Sequence, residues 1–199
     1  MPKKTRAIKV TNEKHAWNRK SSPTGYRVET IPMNKSILIV CEGQTEELYF
    51  KSFPVLGVRV DAVNLKGQSK LKMVESTQEI LDSTAVVYDE IWCVFDMDVR
   101  RGEDEYSDFD NAIHQAESLG FKVAYSNDAF ELWFYLHFEY TDAEHLRTFY
   151  YDELSERFGL NYVKDGKRYD FCQKLYKLLE VHEQSSQAKA LKRASSLYK

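Results

Sequence analysis

Three carboxylates stand where apolar runs stop. Ile37 to Cys41 is continuously apolar and passes straight into Glu42-Gly43, and Ile91 to Phe95 passes into Asp96-Met97-Asp98. In extended chain, residues i and i+2 point to the same side, about 6.6 Å apart along the strand, so Asp96 and Asp98 can face one space. If the two runs are neighbouring strands, a spacing of about 4.8 Å brings Glu42 into the same cluster. Unpaired carboxylates at a buried rim repel one another and raise each other's pKa. A hard divalent cation removes that cost and prefers oxygen ligands, which points to Mg²⁺ or Mn²⁺. Such an ion polarises a phosphodiester and generates hydroxide, and a pair of ions can clamp attacking and leaving oxygens. Glu46, four residues beyond Glu42 in the first turn of a helix, can reach a second ion. Its alternative role is that of an acid favoured by the helix dipole. For the trio, the alternative is polar loop residues after strands, with Asp96 capping a turn.

The elements that must position these acids alternate. Ser36 to Cys41 reads as a buried strand, Thr45 to Phe53 as a helix ended by Pro54 and Gly57, and Val58 to Val63 as an alternating strand. Lys70 to Ser83 reads as a helix with Leu71, Val74, Ile80 and Leu81 inward, and Ile91 to Phe95 as a strand. Asp108 to Leu119 forms a helix closed by Gly120, Phe121 to Tyr125 a short strand, and Asn127 to Glu139 a strongly aromatic helix. Beyond Asp142 the pattern is helical, with breaks near Gly159 and Gly166. Continuous apolar strands alternating with helices predict an α/β fold, a mostly parallel sheet covered on both faces, with a C-terminal helical extension. Function gathers at the carboxyl ends of the strands in such sheets. The expected division is a basic arm over 1–35, an α/β core over 36–140 and helices over 141–199.

A hydrophobic fraction of 43% in 199 residues allows a sizeable core. The apolar runs are too short to span a bilayer, and Met-Pro-Lys-Lys-Thr-Arg lacks the apolar stretch of a secretory signal. Cys41, Cys93 and Cys172 show no CxxC pairing and read as buried, reduced thiols of a cytoplasmic protein. The net charge of −3 hides an asymmetry: residues 1–35 carry nine Lys or Arg against two Glu, a balance of +7 that leaves −10 on the remainder. A basic arm on an acidic body suits phosphate-backbone binding, and equally suits a solvated tail.

The blocks "ILIVCEGQTEELYFKSF", "IWCVFDMD" and "SNDAFELWFYLHF" resemble, in order, the three signature blocks of the RloB-like family, whose members carry a Toprim-type domain. The tail segments "GKRYDFCQKLY" and "AKALKRASSLY" extend the resemblance over nearly the whole chain. It implies a Rossmann-like parallel sheet with a Glu closing the first strand and a DxD closing a later one, here Glu42, Asp96 and Asp98. By likeness to Toprim nucleases of the overcoming-lysogenization type, Glu46 would also help hold metal. It further implies a defence protein encoded beside restriction systems, with an ABC-type ATPase partner. The chain has no GxxxxGK[ST] loop, so nucleotide hydrolysis would belong to that partner. Two departures stand out: Asp128 takes the place of the usual proline after Ser-Asn, and the loop after Asp98 is long and charged.

Within the third block, Phe130, Trp133, Phe134 and Phe138 read as core and His137 as a structural hydrogen bonder. Glu131 would support the acids from the opening of its helix, with Ser126 and Asn127 near the same rim. Alternatively Ser126 or Asn127 caps that helix and Glu131 stabilises its N-terminus. Arg100, Arg101, Lys167 and Arg168 are candidate contacts to nucleic-acid phosphates. The remaining tail cations, Lys174, Lys177, Lys189, Lys192 and Arg193, fit an amphipathic bundle with Leu175, Leu178 and Leu179 inward. The expected activity is a Mg²⁺-dependent nuclease acting on DNA or RNA. Glu42 would serve as general acid/base or metal ligand, and Asp96 and Asp98 as metal ligands. The competing reading is a non-catalytic regulatory subunit of the ATPase; a homo-oligomer is compatible with either, and no membrane association is expected.

Overall fold

Two apolar runs that each meet a cover on both sides must lie inside a sheet, and both do. The structure, a computed structural model, describes residues 35–98 and 103–198. The basic arm, apart from Lys35, and the candidate phosphate contacts Arg100 and Arg101 lie outside the described residues. In chain order the elements are β1 (Lys35–Cys41), α1 (Gln44–Lys51), β2 (Val58–Asn64), α2 (Lys70–Ser83), β3 (Glu90–Met97), α3 (Glu103–Ser118) and β4 (Lys122–Asn127). Six helices follow: α4 (Glu131–Tyr135), α5 (Arg147–Phe158), α6 (Tyr162–Asp165), α7 (Tyr169–Cys172), α8 (Leu175–Val181) and α9 (Gln187–Leu197). The four strands are all parallel, in the order β2-β1-β3-β4. This is the expected α/β architecture, with the C-terminal helices added.

Strand alternation divides the interior in two. Leu38 and Val40 of β1 point with Cys93 and Phe95 of β3 into a core closed by Met73 and Val74 of α2 and by Phe109, Ala112 and Ala116 of α3. Their alternate neighbours, Cys41 and Val94, point into a second core made by Tyr49, Phe130, Phe134, Phe138, Leu154, Tyr162, Leu175 and Leu179. The second core is aromatic: Tyr49 meets Phe130 and Phe134 edge to face at 5.9 and 5.2 Å between ring centroids, a favoured geometry for such pairs. Trp133 donates Nε1–H to the Tyr49 hydroxyl at 2.8 Å. All three cysteines are buried and free. Among the described residues no helix is long and apolar enough to cross a membrane.

Two boundaries differ from the sequence pattern. Helix α3 begins at Glu103, inside the charged segment, rather than at Asp108. Asp108 instead accepts the backbone N–H groups of Lys70 and Leu71 at 2.7 and 3.3 Å, serving the first turn of α2. The aromatic helix is also shorter than the apolar pattern suggests. Strand β4 runs on through Asn127, because Ser126 and Asn127 stay in register with Asp96 and Met97 of β3. Helix α4 then starts at Glu131, with Phe130 before it and no side-chain cap, so neither Ser126 nor Asn127 caps it.

Candidate functional site

Strands β1 and β3 are direct neighbours, with Cys41 opposite Val94. That register carries Glu42 past the end of β1 alongside the end of β3. The Glu42 backbone N–H donates to the Val94 carbonyl at 3.1 Å, and the Asp96 backbone N–H donates to the Glu42 Oε2 at 3.3 Å. Glu42 and Asp96 thus meet at the carboxyl end of the sheet.

Gly43 has an extended backbone, φ −131° and ψ 171°, which any residue can adopt. Its requirement is close approach: a Cβ there would stand 2.7 Å from Oε2 of Glu46. The side chain of Glu46 folds back over this glycine from the first turn of α1. Its sequence neighbour Glu47 points elsewhere, to Lys51 at 2.5 Å and to the Asn64 side-chain amide. Glu46 is only 6% exposed and makes no ion pair among the described residues. Glu131, from the first turn of α4, is 3% exposed. Glu42, Glu46, Asp96 and Glu131 all line one cavity of about 350 Å³, together with Thr45, Lys66, Arg147 and Lys167.

The electrostatics follow from crowding acids out of water. Burial pushes Glu46 up from 4.5 to about 7, with Glu131 and Glu42 adding to the rise and its own backbone N–H and Lys167 opposing it. Asp96 rises well above the usual carboxylate range, through burial first and then through Glu46, Glu131 and Glu42, against Arg147. Glu131 is raised by burial, tempered by Lys167, whose Nζ lies 3.8 Å away. An all-oxygen donor set that resists ionisation without a counter-charge suits Mg²⁺ or Mn²⁺. Among the described residues, however, no three His, Cys, Asp or Glu side chains already stand at metal-binding distances.

Several expected residues lie apart from this cavity. Asp98 pairs with Arg147, Oδ1 to the guanidinium at 3.3 Å. Ser126 and Asn127 line a different, mostly apolar cavity of about 460 Å³ along β4, with Trp133 and Leu136. Lys167 is at the acidic site, whereas Arg168 pairs with Asp165 at 3.4 Å on the surface. His137 is buried and its Nδ1 lies 2.9 Å from the Trp133 carbonyl, as a structural histidine would.

Four residues at or beside the site escape sequence reasoning: Lys66, Lys70, Asp128 and Arg147. Lys70, at the start of α2, is 2% exposed and lies 3.9 Å from Glu42. Arg147 opens α5 and is fastened by Asp128, which takes its backbone N–H at 2.9 Å, its Nε–H at 3.3 Å and its terminal N–H at 3.2 Å. The only sequence signal for this group was Asp128 itself, which breaks the Ser-Asn-Pro pattern.

No curated protein and no solved structure matches the chain. A family model does, that of the RloB-like protein, and it spans residues 37–199, from within β1 through every acid and cation of the cavity. The chain therefore belongs to the RloB-like family.

Proposed function

We propose that the chain is a Toprim-type, Mg²⁺-dependent nuclease that cleaves phosphodiester bonds of DNA or RNA in an antiphage or restriction-linked defence system. One observation carries the reading: four carboxylates, Glu42, Glu46, Asp96 and Glu131, share a cavity with the cations Lys66, Arg147 and Lys167. Acids alone would suit a bare metal site, and cations alone an anion site. Their mixture suits a metal-bridged phosphodiester.

Glu42, Glu46, Asp96 and Glu131 would hold the ion. Bound there, Mg²⁺ or Mn²⁺ would supply Lewis acidity toward a phosphoryl oxygen and lower the pKa of water. Glu42, fixed by the Asp96 backbone N–H, would accept the proton of the attacking water. Arg147, Lys66 and Lys167 would bind and orient the phosphate. Thr45, itself buried at the cavity wall, would help exclude water. A cytoplasmic location and an ABC-type ATPase partner that supplies nucleotide hydrolysis belong to the same proposal.

The test is direct. Purified protein with Mg²⁺ or Mn²⁺ should cut DNA or RNA, and Asp96→Ala should abolish the cutting. Failure to cut any nucleic acid, with the ATPase partner present, would refute the reading. The spacing of the carboxylates, no three of which stand at metal-binding distances among the described residues, favours a second reading, a regulatory subunit that docks the ATPase without chemistry. In that case neither Mg²⁺ nor Mn²⁺ would bind in a carboxylate-dependent way.

A further inference from the structure

Two-metal sites hold their ions about 3.5–4 Å apart, with acids serving both. At one flank of this cluster the counter-charge is already part of the chain. The Arg147 guanidinium lies 3.3 Å from Asp98 and 3.2 Å from Asp128. Asp128 is fully buried, and Arg147 also donates to its backbone carbonyl at 3.0 Å. The arginine is therefore fastened at its backbone, its Nε and its terminal nitrogen, and it also lines the acidic cavity. Burial works against its charge, and the Asp128 and Asp98 carboxylates, with Tyr151, together more than offset that. At the other flank the buried Lys70 ammonium lies 3.9 Å from Glu42. Glu46 is a buried carboxylate that faces the same cavity and makes no ion pair among the described residues.

We propose that the site takes up one divalent ion, held by Glu42, Glu46, Asp96 and Glu131, and that Arg147 occupies the place a second ion would need at Asp98. Asp98 is then a positioning residue that holds Arg147, with Asp128, against the cavity, where its remaining N–H groups meet a phosphate oxygen. A second dication beside Asp98 would have to displace a guanidinium fastened at three points and then face it. The inference rests on the metal-dependent reading above and narrows it.

The experiment is titration of the full chain with Mn²⁺, followed by calorimetry and by the electron paramagnetic resonance signal of free Mn²⁺. Saturation is expected at one ion per chain. Asp98→Asn should keep that stoichiometry with Kd within about twofold, whereas Asp96→Asn should weaken Kd at least tenfold. Arg147→Gln should tighten Mn²⁺ several-fold, because a fixed positive charge leaves the cavity wall. Two ions of similar affinity in the wild type would overturn the inference, as would an Asp98→Asn variant weakened as far as Asp96→Asn. An unchanged affinity in Arg147→Gln would also overturn it. The Asp98→Asn comparison decides the matter even if Arg147→Gln fails to fold. Absence of any Mn²⁺ binding would instead remove the metal-dependent reading itself, and this inference with it.

Discussion

Replacing Glu46 by glutamine should make the metal-free protein more stable, and increasingly so as the pH rises. The carboxyl is buried against Glu131 and Glu42, which lifts it from 4.5 to about 7. A folded-state value above the unfolded one means that the native chain holds its proton longer. Below pH 4.5 both states are protonated and nothing is lost; between 4.5 and 7 stability falls; above 7 the loss is complete. The gap corresponds to about 3 kcal/mol, most of it appearing between pH 5 and pH 8. Glutamine has nearly the same shape and never ionises, so Glu46→Gln should escape this loss. Urea unfolding in EDTA at pH 5, 6, 7 and 8 should show the variant gaining on the wild type by roughly 2–3 kcal/mol across the series. In melting temperature that is roughly 5–10 °C for a chain of this size. Mg²⁺ should close the difference by stabilising the wild type more than the variant. Parallel pH curves for the two proteins would refute the reasoning, because they would mean that Glu46 ionises in the fold at no cost.

Three further outcomes are expected. Gly43→Ala places a methyl 2.7 Å from a flexible carboxylate oxygen, so Glu46 should swing aside. Stability should change by under about 1 kcal/mol, while the Mg²⁺-induced rise in melting temperature shrinks. Phe134→Ala empties a fully buried ring site in the aromatic core and should cost about 3–5 kcal/mol in urea unfolding. His137 is held below its usual 6.5 by burial, against its bond to the Trp133 carbonyl. Its neutral form is the native one, so stability should fall as the pH drops below about 6.5, and His137→Asn should remove that part of the acid slope in thermal melts.

Much of the fold was legible because local pattern and global role agree. The runs before Glu42 and Asp96 are apolar on both faces because both faces of β1 and β3 are covered. The acids stand at the strand ends because that is where the covering helices leave a crevice. What local pattern could not give was partnership across long separations. Nothing near Asp98 announces Arg147, and nothing near Glu42 announces Lys70; each pairing is fixed by how α5 and α2 pack. Glu46 and Glu47 are indistinguishable as letters, and only the orientation of α1 sends one into the cavity and the other to Lys51 and Asn64. The need for glycine at position 43 is likewise set by a contact made in the fold: the backbone there is ordinary, and the glycine makes room for a side chain three residues on. The helical reading of Asn127 lost to its pairing with β3, a long-range preference that aromatic periodicity cannot register.

The division of the sheet between two cores has a consequence for synthesis. During translation the first core can close once α3 has emerged, since all its buried members lie at or before Phe121. The second cannot, because Leu154, Tyr162, Leu175 and Leu179 arrive last. The four acids have all left the ribosome by Glu131, but Arg147 and Lys167 have not, and Tyr49 and Phe130 still lack their cover. A nascent chain stalled there presents an aromatic face that invites aggregation or chaperone capture. The cavity shared by the acids and cations therefore stays incomplete until Lys167 has followed.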